Sequence, residues 1–394
     1  MKILVVLPRF PYPLDKGDKL RAYNQIRCLS QNNEIYLFCI THEKIADDDF
    51  EEVGKYCAKT EIVHCSKLAT LYGLFKSVVT VNSLQVGYWV TSKAMKKYRK
   101  FEKSVMPDVV YCQMIRVMNL VKKSKCPKVI DFQDALSKNT ERRMLSSRGL
   151  WKHILHYEFK MLRSCEYNAF DIFDEMAIIS KPDRDAIPHP YSDNIEILPN
   201  GIDVDFFRPM PSEKDFDIVF CGNMHYTPNV DAARFLVKEI MPLVWKKYPE
   251  TKVLISGINP DSSVKRLKSG NVTVSGWVED IRRSYSRSRI FVAPMRLGSG
   301  LQNKLLEAMS MGIPSVTTPL ANSSLGAEDG TQILVAGTAE GLADGIMQLL
   351  ENSRFSQDIA DNGFRYVTSC FSWENSVKNI LEPLLKKAIS KNGK

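Results

Sequence analysis

No stretch of this 394-residue sequence approaches the roughly 18 uninterrupted apolar residues that a bilayer-spanning helix requires. Its nine cysteines are scattered and form no Cys-x-x-Cys pair, which argues against a disulfide framework or a zinc site and suits a reducing cytoplasm. No metal-ligand cluster, internal repeat or nucleic-acid-binding motif is visible. The opening MKILVVLPRFPYP imitates a short signal peptide. Its apolar run is only about six residues, lacks a small-residue cleavage site and ends in Pro-Arg, so it reads better as the first buried strand of a parallel sheet.

The length is too great for one ordinary core and implies two domains. A hydrophobic content of 44% with 25% charged residues is that of a soluble globular protein. Short apolar runs alternate with amphipathic stretches, the rhythm of a parallel sheet covered by helices. Strands are expected near 2–7, 34–40, 109–112, 128–132, 175–179 and 195–198, and again near 216–221, 252–256, 272–275, 290–293, 315–317 and 332–335. Between these sets, DVDFFRPMPSEKDFD (203–217) has two prolines, clustered charge and no helical period, and reads as a linker. The chain closes on an amphipathic helix with a lysine-rich tail.

Residues 288–318 concentrate the chemistry. They read as a strand, a glycine-rich loop (297–300), a helix over about 302–311 and another strand. Such a unit aims backbone N–H groups and the positive end of a helix dipole at one point. Gly298 and Gly300 remove side chains that would hold an anion off the backbone. Lys304, in the first helical turn, slants toward the same point. Glu307, three residues on, can accept hydrogen bonds from sugar hydroxyls. The pattern suits a nucleotide's diphosphate and ribose; the alternative is a surface i,i+3 ion pair beside an ordinary glycine turn.

The run EAMSMGIPSVTT (307–318) resembles the carboxy-terminal signature of the family 4 glycosyltransferases. The resemblance implies a retaining enzyme of the α/β GT-B class, with two Rossmann-like parallel-sheet domains facing a central cleft. It implies an acceptor-binding domain at 1–206 with a returning helix at 372–394, and a nucleotide-sugar donor domain at 207–371. By the same resemblance Glu307 holds the ribose, while Arg296, Gly298, Ser299, Gly300, Leu301 and Lys304 form the diphosphate cradle. FPYPLDKGDKLRAYNQIRCLS (10–30) resembles the glycine loop across the cleft, with Gly17 giving the backbone room and Lys19 and Arg21 meeting phosphate or an anionic acceptor, the alternative being a surface loop whose charges are solvated. NGID (200–203) marks the domain crossing, a tight Asn-Gly turn. In CGNMHYTPN (221–229) the family's basic pair is missing, leaving Gly222, Asn223 and His225 as donor-site candidates; the alternative for His225 is a structural role. SGWVEDIR (275–282) places Trp277, Val278 and Glu279 where the nucleobase is read.

Two departures bear on the transferred sugar. The first of the family's two glutamates is Ser299 here, so Ser299 and backbone amides are left to serve the sugar. In VIDFQDALSKNT (129–140) Gln133 stands in the family's histidine slot and cannot act as a base. Asp134 remains a catalytic or sugar-binding candidate, or alternatively a helix N-cap, and Lys138 a phosphate candidate. Neither departure forbids retaining transfer, in which the leaving diphosphate itself helps deprotonate the acceptor. The catalytic set is then Lys304, Glu307 and Asp134, with no metal or other cofactor required.

Residues 93–163 hold 18 Lys or Arg against 6 Asp or Glu, in a chain of net charge +9. The part at 142–163 interleaves bases with Trp151, Leu155, Tyr157 and Phe159 and suits an anionic leaflet, the alternative being a solvated helix face. The expected partners are a nucleotide-sugar donor, a glycan or polyprenyl-diphosphate-linked acceptor and an anionic membrane surface, without nucleic acid. The setting is cytoplasmic, peripheral on the inner membrane face. Two rivals share the architecture: a sugar-nucleotide 2-epimerase, for which the chain offers few suitable carboxylates and histidines, and a non-catalytic nucleotide-sugar-binding scaffold.

Overall fold

Strand β1 (Lys2–Leu7) is buried on both faces: Leu4 and Val6 enter one apolar cluster, while Ile3, Val5 and Leu7 enter the other. Period-two side-chain direction then makes every residue of the run apolar, which is why it reads as continuous rather than alternating. The computed structural model describes all residues except Val81, Ser299, Gly393 and Lys394, and of Ser146 and Asn392 only the backbone. The chain divides into two compact units, Met1–Pro199 with Trp373–Lys394, and Asn200–Ser372. From its sequence the division was expected at 206/207 and 371/372.

In the first unit β1 is joined by β2 (Glu34–Thr41), β3 (Lys59–His64), β4 (Val109–Gln113), β5 (Lys128–Asp131), β6 (Glu175–Ile178) and β7 (Glu196–Ile197). All pairs are parallel, in the order β3-β2-β1-β4-β5-β6-β7. The winding reverses between β1 and β4, which opens a crevice at their carboxyl ends. Strand β3 has no counterpart in the sequence reading. It is an edge strand in which only Val63 is buried, so it lacks the apolar run that marks the others. The returning segment contributes Trp373, Val377, Leu381 and Leu385 to the cluster on one face of this sheet.

The second unit carries β8 (Phe216–Cys221), β9 (Val253–Ser256), β10 (Val272–Gly276), β11 (Ser288–Ala293), β12 (Ser315–Thr317) and β13 (Leu334–Val335). Their order, β10-β9-β8-β11-β12-β13, repeats the plan of the first sheet, again wholly parallel. Here the reversal falls between β8 and β11, whose register pairs Ile218 with Ile290. Gly257, after β9, runs against the turn after β8: a β-carbon there would lie 1.7 Å from the Gly222 carbonyl oxygen. Among the described residues no helix is long and apolar enough to cross a membrane.

Candidate active site

The crevice between β8 and β11 gathers the second unit's chemistry. The loop after β11 passes through Gly298 (φ +113°) and Gly300 (φ +75°), conformations that strain any residue with a β-carbon, and enters the helix Asn303–Ser310. Among the described residues no side chain caps that helix; Leu305 N–H donates to the Gln302 carbonyl at 2.9 Å, and the Asn303 and Lys304 N–H groups before it are available to an anion. Lys304 Nζ donates to Asn229 Oδ1 at 2.6 Å, lies 3.7 Å from Met295 Sδ and stands over the Phe220 ring. Burial pushes its pKa down to about 8, against the pull of the Glu307 and Cys221 charges. Asn229 is itself fixed, its Nδ2 donating to the Asn223 carbonyl at 3.0 Å. A β-carbon on Gly222 would come within 2.7 Å of that same Nδ2, so glycine keeps room for the asparagine.

Glu307 accepts a 2.7 Å hydrogen bond from the Tyr285 hydroxyl through Oε2, and Oε1 takes none among the described residues. Burial raises its pKa, while Tyr285 and then Lys304 oppose the rise. Asn303 Oδ1 is buried without a partner among the described residues, at the start of the same helix. The arrangement offers a desolvated ammonium, open backbone donors and a carboxylate with a free oxygen, a set matched to phosphate and to vicinal hydroxyls. Asn229, Asn303 and Tyr285 were not singled out from sequence. Asn229 closes the quoted CGNMHYTPN run, whereas Tyr285 carries no local signal.

Other donor-site candidates fare unevenly. Asn223 and His225 are exposed on the turn after β8, the Asn223 side chain accepting from the His225 backbone N–H. Trp277 is 68% exposed beyond β10, and Val278 and Glu279 line a cavity of about 420 Å³ with Thr273, Asp280 and Arg283. Leu301 is buried. Arg296 is a correction: its guanidinium is bound by Asp231 (2.9 Å) and Glu239 (3.3 Å) and stacks 4.1 Å from the Phe235 ring, so it belongs to the packing of the neighbouring helix. Ser299 lies outside the described residues.

The remaining candidates belong to the first unit, and most prove structural. Gly17 is the first residue of the helix Gly17–Ser30 with no atom near its missing β-carbon, so no close approach requires it. Lys19 is buried between Asp15 (3.0 Å) and Glu43 (3.5 Å). Arg21, 1% exposed, binds Asp131 at 2.7 Å and the Leu198 carbonyl at 2.8 Å. Both cations expected at phosphate are thus neutralised in the interior. Gln133 adopts φ +65° and donates to Gln113, joining the buried network of Gln25, Tyr111 and Asp131. Lys138 pairs with Glu141 on the surface. Asp134 is not the N-cap, a position held by Ala135; it accepts from Asn139 at 2.5 Å. Burial, then the Asp183 charge, lifts its pKa to about 6.

Residues 215–352, most of the second unit, match the family model described as Glycosyl transferases group 1. The chain carries a glycosyltransferase domain. It is a glycosyltransferase enzyme, and its two parallel sheets are those of the GT-B fold. An uncharacterized 44.6 kDa protein in the cps region of Klebsiella pneumoniae is 24% identical over 388 residues, covering 93% of this chain and 95% of its own. Two solved structures share the fold at 13% identity. Anabaena HepE in complex with UDP has a TM-score of 0.70 over 98% of this chain and 99% of its own. Sucrose-phosphate synthase of Thermosynechococcus elongatus has 0.69 over 99% and 100%.

Proposed function

We propose that the enzyme transfers a sugar, with retention of anomeric configuration, from a nucleoside-diphosphate sugar to a lipid-linked glycan acceptor during synthesis of a surface polysaccharide. The observation that carries the donor is Lys304, held by Asn229 beside the positive-φ glycine loop and the open start of the helix Asn303–Ser310. The UDP bound in HepE supports UDP as the first nucleotide to test, and the cps-region relative supports polysaccharide synthesis.

In this mechanism Lys304 and the loop amides stabilise the negative charge that grows on the leaving diphosphate. Glu307 orients the ribose through Oε1. The leaving phosphate oxygen takes the acceptor's proton on the same face, so Gln133 need not be a base. Lys304 and the amides supply the positive charge without a metal ion. The first unit holds the acceptor at the inner face of the cytoplasmic membrane. In support, the helix Lys67–Val79 exposes Leu68, Leu71, Tyr72, Phe75, Val78 and Val79, an apolar surface flanked by Lys67 and Lys76.

The experiment is a thermal-shift screen against UDP, GDP, ADP, CDP and dTDP with and without Mg²⁺, followed by transfer assays with the matching nucleotide sugar. A metal-independent shift with one nucleotide and transfer to a prenyl-diphosphate glycan are expected. No shift with any nucleotide, or turnover of the donor without acceptor, would sink the reading; the latter is epimerase behaviour.

A further inference from the structure

A second concave site lies wholly within the first unit, at the carboxyl ends of β1 and β2. It is a cavity of about 450 Å³, within the size range of small-molecule pockets, and none of the residues discussed as donor-site candidates lines it. One wall is aromatic: His42, Tyr88 and Trp89 pack with ring centroids 4.4–5.1 Å apart. The other carries Arg9 and Arg116.

The charges of this pocket are incompletely matched. Arg9 pairs with Asp18 at 3.0 Å and lies 5.6 Å from the Trp89 ring. Glu43, the carboxylate in the lining, is bound by Lys16 and Lys19. Arg116 donates from Nε to Gln85 Oε1 at 2.9 Å and pairs with no carboxylate among the described residues. Burial, and next the positive charge of Arg9, lower its pKa, while Asp18, Asp134 and Glu158 act on it only from beyond ion-pair distance. His42 Nε2 is buried with no hydrogen-bond partner among the described residues, and burial holds the imidazole toward its neutral form. The frame is rigid. Glu158 caps the helix Leu84–Trp89, accepting from Ser83 Oγ and from the Leu84 and Gln85 N–H groups, and so fixes Gln85. A desolvated guanidinium without a counter-ion and an orphaned imidazole nitrogen are costly unless a ligand completes them.

We propose that this pocket binds a phosphate group borne by the sugar acceptor, with Arg116 and Arg9 as its cations, the orphaned His42 Nε2 as a further hydrogen-bond partner of the ligand, and Tyr88 and Trp89 against the sugar ring. The identity of the ligand as acceptor rests on the transferase reading; the binding of phosphate does not. Leu74, from the exposed apolar helix Lys67–Val79, also lines the pocket, so a prenyl chain on the ligand would meet apolar surface on that side.

The test is calorimetric titration of the full chain with inorganic phosphate, farnesyl phosphate and farnesol, in Lys304→Ala, which disables the donor phosphate site, and in that background with Arg116→Gln, Arg9→Gln or His42→Ala. With the donor phosphate site disabled by Lys304→Ala, phosphate and farnesyl phosphate are expected still to bind. Arg116→Gln should weaken both about tenfold or more, as loss of a charge-assisted bond does, with Arg9→Gln weaker in effect because Asp18 shares its charge. Tighter binding of farnesyl phosphate than of phosphate assigns a lipid-linked acceptor; equal binding assigns a water-soluble phosphorylated one. The proposal is overturned by unchanged phosphate affinity in Arg116→Gln that still melts like wild type, or by farnesol binding as well as its phosphate. Should Arg116→Gln not fold, unchanged affinity in both Arg9→Gln and His42→Ala overturns it equally. Loss of nucleotide binding with this phosphate site intact would instead sink the proposed donor site alone.

Discussion

Lys304 and Asn229 are joined by a 2.6 Å hydrogen bond that ties the helix Asn303–Ser310 to the helix Thr227–Phe235 that follows β8. The ammonium is therefore aimed into the crevice between neighbouring strands and not along its own helix toward Glu307. A lysine so held is oriented before an anion arrives, which lowers the cost of binding one.

Removal of either partner should weaken nucleotide binding. Lys304→Ala is expected to lose about 1.5–3 kcal/mol of nucleoside-diphosphate affinity. Asn229→Ala should lose less, and the double variant should fall short of the sum, because the two act together. Calorimetry of the three variants checks this; strict additivity would separate Asn229 from the site.

The lysine's lowered pKa sets a pH dependence. Below about pH 8 Lys304 is protonated and positive; above it the charge is lost, so affinity for a diphosphate should fall by up to about tenfold per pH unit. Lys304→Arg should bind with a flat profile over the same range, since guanidinium stays charged. A flat wild-type profile between pH 7 and pH 9.5 would contradict the assignment.

Glu307→Ala should weaken binding of a nucleoside diphosphate while sparing inorganic pyrophosphate, because only the former has a ribose for Oε1. Tyr285→Phe should give a smaller loss of the same kind, since it frees the carboxylate that Tyr285 now orients. Equal losses for pyrophosphate would point to general damage.

Arg21 tests the structural assignment of the first unit's basic residues. It and Asp131 are 1% and 0% exposed, so Arg21→Ala strands a buried carboxylate. A loss of about 3–5 kcal/mol in stability is expected by chemical denaturation, with nucleotide affinity of the folded protein unchanged. Full stability together with lost donor affinity would return Arg21 to the site.

The exposed face of the helix Lys67–Val79 should drive membrane association. Cosedimentation with vesicles of phosphatidylcholine and phosphatidylglycerol is expected for wild type, and to be lost in Leu71→Glu/Phe75→Glu with the melting temperature kept, since both residues are exposed. Equal binding by the variant would leave the basic segment 93–163 as the remaining membrane candidate.

Legibility followed burial. Strands such as β1, β8 and β11 were readable because the stretch of a parallel strand covered on both faces must be apolar, as in 3–7, 218–221 and 290–293, whereas β3, half-exposed at an edge, left no run to find. The glycine loop and the helix start were readable because positive φ selects glycine and a helix has a fixed side-chain direction. These are local demands, and the sequence by itself determined them: two βα arrays, the loop at 297–300, and Lys304 and Glu307 on one helix. Which charges met was decided by tertiary structure. Lys19 and Arg21 had the same local appearance as Lys304, yet Asp131, 110 residues from Arg21, neutralises one, while Asn229, 75 residues from Lys304, leaves the other charged and aimed. Strand order sets such partners, and strand order depends on how the whole chain winds.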